Sequence, residues 1–404
     1  MCYNSDMMMK RDIEKELKTA AEGFPVVLLC GPRQSGKSTI INHVFSNYKS
    51  ISLEDPDILL WAKEDPRGFL RENGPRLILD EIQRAPQLLS YMQSIVDQKN
   101  EPGMYILSGS QNFSMMKNIT QSLAGRVGIL TLLPLSLHEL SKAEAKTHLK
   151  INSDNLSKII FKGSYPRLYN SKIKTSLFYS SYFSTYLERD VRGENNVGDL
   201  VRFTNFMKVC AARVGQQVNW ADIARVADID ERTAKSWLSV LEASFIVRLV
   251  HPYYNNFDKR VSKSPKLYFC DTGLACHLLG ISHSDDLYLH PYYGSLFENL
   301  IINEYVKLQY SFASIPNCYF WRENEVNEVD LIIEYATKLY GYEIKSSWTA
   351  REKHTSGLAR FAKVSNTPTE RLKVVYSGEQ VTKLKGYSFI PISDISHEFK
   401  KFSR

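Results

Sequence analysis

Eight consecutive residues, Gly31-Pro32-Arg33-Gln34-Ser35-Gly36-Lys37-Ser38, set two glycines in a turn that closes on a lysine and a hydroxyl. Backbone N–H groups converge on phosphate oxygens where glycine tolerates crowded or left-handed conformations. In that geometry Lys37 brings a point charge to the β and γ phosphates of a triphosphate, and Ser38 offers its hydroxyl to Mg²⁺. Every fixed position of the Walker A pattern is filled, a match that chance gives a chain of this composition roughly one time in a hundred. The nucleotide-binding residues predicted here are Gly31, Pro32, Arg33, Gln34, Ser35, Gly36, Lys37, Ser38 and Thr39, with ATP and Mg²⁺ as ligands. A glycine-rich turn with a solvated lysine is the alternative.

Two carboxylates follow at the end of an apolar run, Arg76-Leu77-Ile78-Leu79-Asp80-Glu81. Open α/β sheets bind ligands at the carboxyl ends of their strands. Asp80 is expected to hold Mg²⁺ through water, and Glu81 to polarise the water that attacks the γ-phosphate. A further run, Met104-Tyr105-Ile106-Leu107, ends in Ser108-Gly109-Ser110-Gln111. One of these polar residues, with Ser110 placed in the binding set, would sense the γ-phosphate; a plain Ser-Gly turn stands beside that reading.

A second constellation lies near the C-terminus. Glu298 falls in a helical stretch, Asp330 in the run Val329-Asp330-Leu331-Ile332-Ile333, and Glu343 and Lys345 in Tyr342-Glu343-Ile344-Lys345. The period of two puts Glu343 and Lys345 on one face of a strand. This order resembles the PD-(D/E)xK nuclease core, although Val329 stands where that motif has proline. Asp330 and Glu343 would share a divalent cation, probed first as Mg²⁺, and Lys345 would act on the attacking water. Cross-strand ion pairing explains the same residues without any chemistry.

The elements that must position these groups follow from patterning. Residues 8–22 read as an amphipathic helix, with Ile13, Leu17 and Ala20 at helical spacing and Gly23 as its stop. Apolar runs at 26–30, 50–53, 77–79, 104–108 and 128–132 alternate with helical patterns, the signature of a parallel sheet with crossover helices. Residues 138–192 are helical in pattern. Between 196 and 270, helices capped by residues such as Asp230 lead into two strands joined by a basic bridge of Lys259, Arg260, Lys263 and Lys266. Helix–turn–helix followed by a hairpin reads as a winged helix, with Arg232 and Lys235 facing outward. Winged helices serve protein contacts as well as DNA.

Composition bounds the class. At about 150 residues per domain, 404 residues suggest two to three domains, and 43% hydrophobic with 24% charged residues is ordinary for globular protein. The longest apolar runs fall far below the ~18 residues of a membrane span. Met1–Asp6 does not resemble a secretory signal. Six cysteines without CxxC spacing argue against a disulfide scaffold and a zinc finger, and for a reduced, cytoplasmic setting. The net charge of +7 leans mildly towards anionic partners.

The segments GPRQSGKST, LILDEIQ, LSGSQ and SLAGRVGILTLLPLSLHEL resemble the AAA-type ATPases found joined to a C-terminal DUF4143-class domain. The resemblance implies an α/β P-loop core with sheet order 5-1-4-3-2, a helical lid and a homo-oligomer. It also implies that Arg126 is an arginine finger given to a neighbouring subunit, a role that suits a planar, permanently charged fork; satisfying helix carbonyls is the rival role. Gly163-Ser164-Tyr165-Pro166-Arg167 resembles an adenine-contacting lid element, which adds Pro166 to the binding set, although Ser164 replaces a common glycine. The expected domains are 1–192 (P-loop core with lid), 193–285 (winged helix) and 286–404 (nuclease-like). The expected function is a Mg²⁺-dependent ATPase controlling a module that acts on nucleic acid, DNA before RNA, with no membrane partner. The alternatives are a nucleotide-gated switch whose C-terminal domain only binds a partner, and a DNA-binding regulator working through Arg232 and Lys235.

Overall fold

The computed structural model describes residues 9–109, 122–187, 191–192, 199–254 and 263–403. The chain divides into two compact units, one of residues 10–134 with 310–314, the other chiefly of 135–309 and 315–404. No helix among the described residues is long and apolar enough to cross a membrane.

In the first unit, β1 (Val26–Cys30), β2 (Lys49–Ser52), β3 (Leu77–Asp80), β4 (Tyr105–Gly109) and β5 (Val127–Thr131) form a five-stranded sheet in the order β2-β3-β4-β1-β5. Every pairing is parallel. This is the order that the resemblance implied, read from the other edge. A strand covered on both faces has no solvent side, so β1 is apolar throughout and all five of its residues are buried. The edge strand β2 is polar and largely exposed.

Helices α1 (Glu14–Gly23), α2 (Lys37–Val44), α3 (Pro56–Glu64), α4 (Pro66–Asn73) and α5 (Leu88–Lys99) belong to this unit. Local chemistry sets their starts. The Asp55 side chain accepts from the Asp57 and Ile58 amides with Pro56 just inside α3, and Asp65 with Pro66 does the same for α4. One face of the sheet packs Leu28, Leu79 and Leu107 against Phe69, Leu89 and Met92. Each such buried side chain contributes about 1.5–3 kcal/mol. The helix expected over 8–22 begins only at Glu14, which leaves Arg11 in the segment before it.

The second unit opens with short helices between Leu137 and Tyr186 and continues with helices at Leu200–Ala211, Trp220–Val226 and Glu231–Ala243. An antiparallel pair follows, β6 (Val247–Val250) with β7 (Lys266–Phe269). The elements expected for a winged helix occur in that order. Lys259 and Arg260 lie outside the described residues. After a helix at Tyr293–Ser311 comes a six-stranded sheet of β8 (Cys318–Arg322), β9 (Glu328–Tyr335), β10 (Lys338–Lys345), β11 (Leu372–Tyr376), β12 (Thr382–Leu384) and β13 (Tyr387–Pro391). Its order is β12-β13-β11-β10-β9-β8, antiparallel from β8 to β10 and parallel from β10 through β11 to β13. The last two strands were not expected from the sequence.

Gly31 is held at φ 154°, and a Cβ there would overlap the Leu132 carbonyl oxygen. Gly31→Ala is therefore predicted to lower the stability of the first unit by about 2–4 kcal/mol. Gly74, also at positive φ but facing open space, should lose only about 1 kcal/mol as alanine. Urea midpoints of the two variants check the difference.

Candidate functional site

The loop between β1 and α2 turns through three positive-φ positions, Gly31 at 154°, Gln34 at 60° and Gly36 at 95°. Lys37 is buried, and its Nζ donates to the Gly31 carbonyl at 3.0 Å and to the Pro32 carbonyl at 2.9 Å. Burial draws its pKa down, while Glu81 and Asp80 oppose the fall. Arg33 and Thr39 are half-buried and Gln34 is exposed.

Strand order brings Asp80 to the same place. β3 and β1 flank β4, so Asp80 at the end of β3 meets both the start of α2 and the end of β4. Ser38 Oγ donates to Asp80 Oδ2 at 2.7 Å, and Ser108 Oγ, fully buried in β4, donates to Asp80 Oδ1. Glu81 follows in a left-handed conformation, φ 59°. For a non-glycine residue that conformation costs about 1–2 kcal/mol, and the Gln83 amide helps to hold it by donating to the Glu81 carboxylate.

The residues present suit a triphosphate with Mg²⁺. Ser38 and Asp80 present paired oxygens, the hard donors that Mg²⁺ takes beside phosphate. Ser35 Oγ is buried in the loop and has no hydrogen-bond partner among the described residues. Ser110 and Gln111 lie outside the described residues.

Patterning missed one contributor. Arg11, 6% exposed, donates from Nη1 to the Ser35 carbonyl at 2.8 Å and from Nη2 to the Leu133 carbonyl at 2.6 Å. A buried guanidinium thus ties the loop to the chain beyond β5. Nothing in the spacing around Arg11 announces this, because its partners are main-chain oxygens 24 and 122 residues away. Arg126 pairs through Nε with Asp97, donates from Nη1 to the Ala124 carbonyl at 3.1 Å, and keeps 37% of its side chain exposed.

Pro166 belongs to the second unit, where it opens the short helix Pro166–Asn170. The loop before it is anchored locally. The Ser164 amide and hydroxyl both donate to Asp271 Oδ2 at 2.8 Å, and Lys307 Nζ donates to Ser164 Oγ at 2.7 Å.

The C-terminal constellation does come together. Asp330 on β9 accepts the Ile344 amide at 2.8 Å and lies 3.4 Å from Lys345 Nζ, which pairs with Glu343 Oε1 at 2.6 Å. Glu298 joins through Lys266, whose Nζ is 3.0 Å from Glu298 Oε1 and 3.6 Å from Asp330 Oδ1 and also pairs with Glu328. Lys266 was expected on the basic bridge between the two strands. It is instead buried among carboxylates, because the side chain of β7 at this position points into the unit. Ammonium groups already engage the oxygens of Asp330 and one oxygen of Glu343. Among the described residues no group of three or more His, Cys, Asp or Glu could hold a metal ion. The donor set expected for a divalent cation here does not fit one.

Burial pushes the Glu343 carboxyl up to about 8, with Asp330 adding to the rise and Lys345 opposing it. Burial likewise pushes Glu298 up to about 7, against Lys266. Burial raises Asp330, but Lys345, Lys266 and the Ile344 amide together hold it below the usual carboxylate range. A carboxyl raised in the folded state keeps a proton that the unfolded chain has released, so its contribution is complete below its ordinary value and lost as pH rises through the folded one. The melting temperature of this unit should therefore fall as pH rises from about 4.5 to about 8. In Glu343→Gln, which has no such proton to lose, the fall should be shallower; an unchanged slope in calorimetry would contradict the assignment.

Residues 23–141 match the family model of an AAA domain, 153–285 that of a domain of unknown function (DUF8612) and 293–395 that of another (DUF4143). An uncharacterized protein of Mycobacterium tuberculosis is 28% identical over 377 residues, covering 92% of this chain and 81% of that protein. One of Mycobacterium bovis has the same identity and coverage. Among solved structures, a Walker-type ATPase of Pyrococcus abyssi aligns with 68% of this chain and 97% of its own, at 16% identity and a TM-score of 0.46. The chain thus joins an AAA domain, built on the P-loop ATPase sheet β2-β3-β4-β1-β5, to a C-terminal DUF4143 region.

Proposed function

We propose that this protein is a Mg²⁺-dependent ATP hydrolase whose nucleotide state governs the segments that follow the AAA domain. The observation that carries the reading is the Asp80 carboxylate, set between Ser38 of the phosphate loop and Ser108 of β4. Ser38 and Asp80 would hold Mg²⁺, which neutralises charge on the β and γ phosphates when bound. Loop amides from Gly31 to Lys37 would receive the phosphates, and Lys37 would exchange its loop carbonyls for phosphate oxygens. Glu81 would accept a proton from the attacking water as the new bond to the γ-phosphorus forms and the bond to the ADP oxygen breaks. Gln83 orients that carboxylate. Catalysis is then positioning and charge neutralisation, with no covalent step for the protein.

Arg126, partly exposed and tethered to Asp97, suits an arginine finger delivered to a neighbouring copy. Lys37→Ala is predicted to abolish ATP binding, whereas Glu81→Gln should keep binding and lose turnover by about 100-fold or more. Arg126→Ala should retain binding and lose turnover by about 1,000-fold, with wild-type turnover per chain rising with protein concentration. Equal hydrolysis by wild type and Glu81→Gln removes Glu81 as the base.

The module downstream is proposed to contact nucleic acid through the helix Glu231–Ala243. Leu238 and Leu241 are buried on its inner face, and Arg232 and Lys235 are exposed on the outer one. Phosphate contacts of this kind carry a steep salt dependence. Reversing both charges should weaken duplex DNA binding at low salt and flatten its salt dependence; unchanged affinity assigns the helix to protein contacts. The second reading, a C-terminal region that binds a partner and cuts nothing, is favoured by the ammonium groups seated among its carboxylates.

A further inference from the structure

Lys266 reaches the acidic cluster from a different element than the nuclease-like motif. It sits on β7, whereas Glu298 belongs to the helix Tyr293–Ser311 and Glu328 and Asp330 to β9. Only 3% of Lys266 is exposed, and the Phe320 ring covers its Nζ at 5.5 Å from the centroid. Three carboxylates from two elements therefore point at one ammonium nitrogen. Hard divalent cations are held by just such converging oxygens, but Mg²⁺ needs near-octahedral oxygen at about 2.0–2.1 Å. A point filled by nitrogen and closed by an aromatic ring offers no such shell. Lys345 does for Asp330 and Glu343 what Lys266 does for the other side.

The balance of charge is close. Glu298, Glu328, Asp330 and Glu343 face Lys266, Lys345 and Arg322, whose Nε lies 3.5 Å from Glu328. Four acids against three bases leave a single excess negative charge. Glu343 Oε2 is buried and has no hydrogen-bond partner among the described residues. Tyr268 adds a hydroxyl to Glu298 from the same strand as Lys266. The cluster is thus compensated by groups of the chain itself.

We propose that Lys266 is the built-in cation of this site, standing where the carboxylates would gather a divalent metal, so that the DUF4143 region holds no catalytic metal while β7 is in place. The inference concerns the second unit alone and stands apart from the ATPase reading. It is tested on the full chain, without nucleotide, by Mn²⁺ titration followed by electron paramagnetic resonance. Wild type is expected to show no Mn²⁺ site that depends on Asp330, scored against Asp330→Asn. Lys266→Met, which keeps an unbranched side chain one atom shorter and removes its charge, is expected to gain one bound Mn²⁺, lost again in Lys266→Met with Asp330→Asn. Plasmid DNA incubated with wild type and Mn²⁺ is expected to stay intact. The proposal is overturned if wild type binds Mn²⁺ and loses it in Asp330→Asn, if it cuts DNA in an Asp330-dependent way, or if folded Lys266→Met gains no ion. Should Lys266→Met not fold, the two wild-type measurements decide. ATP turnover, followed in the same preparations, reports separately on the Walker site.

Discussion

The Asp80 carboxylate is the point on which the AAA domain turns. It accepts hydroxyl protons from two elements, Ser38 at the start of α2 and Ser108 at the end of β4. A carboxylate bound by two hydroxyls at a strand end is fixed in position and rotation, which a metal-ligating or metal-orienting group requires. The arrangement depends on β4 lying between β1 and β3; with β3 beside β1, Ser108 would stand on the far side and Asp80 would lose one partner. Sheet order is thus a condition of the chemistry. Arg11 extends the same constraint beneath the loop, since it holds the Ser35 carbonyl from one nitrogen and the Leu133 carbonyl from the other.

Strain and satisfaction are divided sensibly around that point. Gln34 and Glu81 are non-glycine residues at φ 60° and 59°, and Lys37 is a buried cation satisfied only by main-chain carbonyls. Each carries a cost, and that of the desolvated lysine is one that binding of an anion would relieve by giving its ammonium a direct charge partner. Residues held in sparsely populated conformations persist where the surrounding structure over-determines them. Here Gln83, the buried β3 and the clamp on Asp80 supply that determination.

Much of this was legible in the sequence, for physical reasons that differ by element. The phosphate loop and the acids at 80 and 81 were legible because backbone geometry demands glycine at fixed spacing and an apolar parallel strand permits polar residues only at its end. The inner parallel strands were legible because a strand buried on both faces has to be continuously apolar, as Val26–Cys30 is. The sheet order came from the family resemblance, not from periodicity. Arg11 was hidden because its partners are carbonyl oxygens, which leave no mark on residue type. Lys266 was misplaced for a related reason. Its place beside Lys259, Arg260 and Lys263 put it on the basic bridge before the strand, whereas it is the first residue of β7, all four of whose residues are buried. Strands β12 and β13 escaped because three- and five-residue strands broken by Gly386 carry too little pattern to separate from loop.

The two lysine-and-carboxylate constellations of this chain show why such residues are a poor guide until their partners are known. At the Walker site one buried lysine faces two acids across a loop built of positive-φ residues, and its hydrogen bonds go to carbonyls that phosphate oxygens can replace. In the second unit two lysines and an arginine already meet four acids, with the Phe320 ring over the Lys266 ammonium. Breaking such a buried pair by removing one partner costs about 3–5 kcal/mol, so those ions are committed to one another. A motif promises ligand chemistry only where its charges are left for the ligand to satisfy. By that criterion the first constellation fits the binding site proposed for it, and the second is a polar core built in the pattern of one.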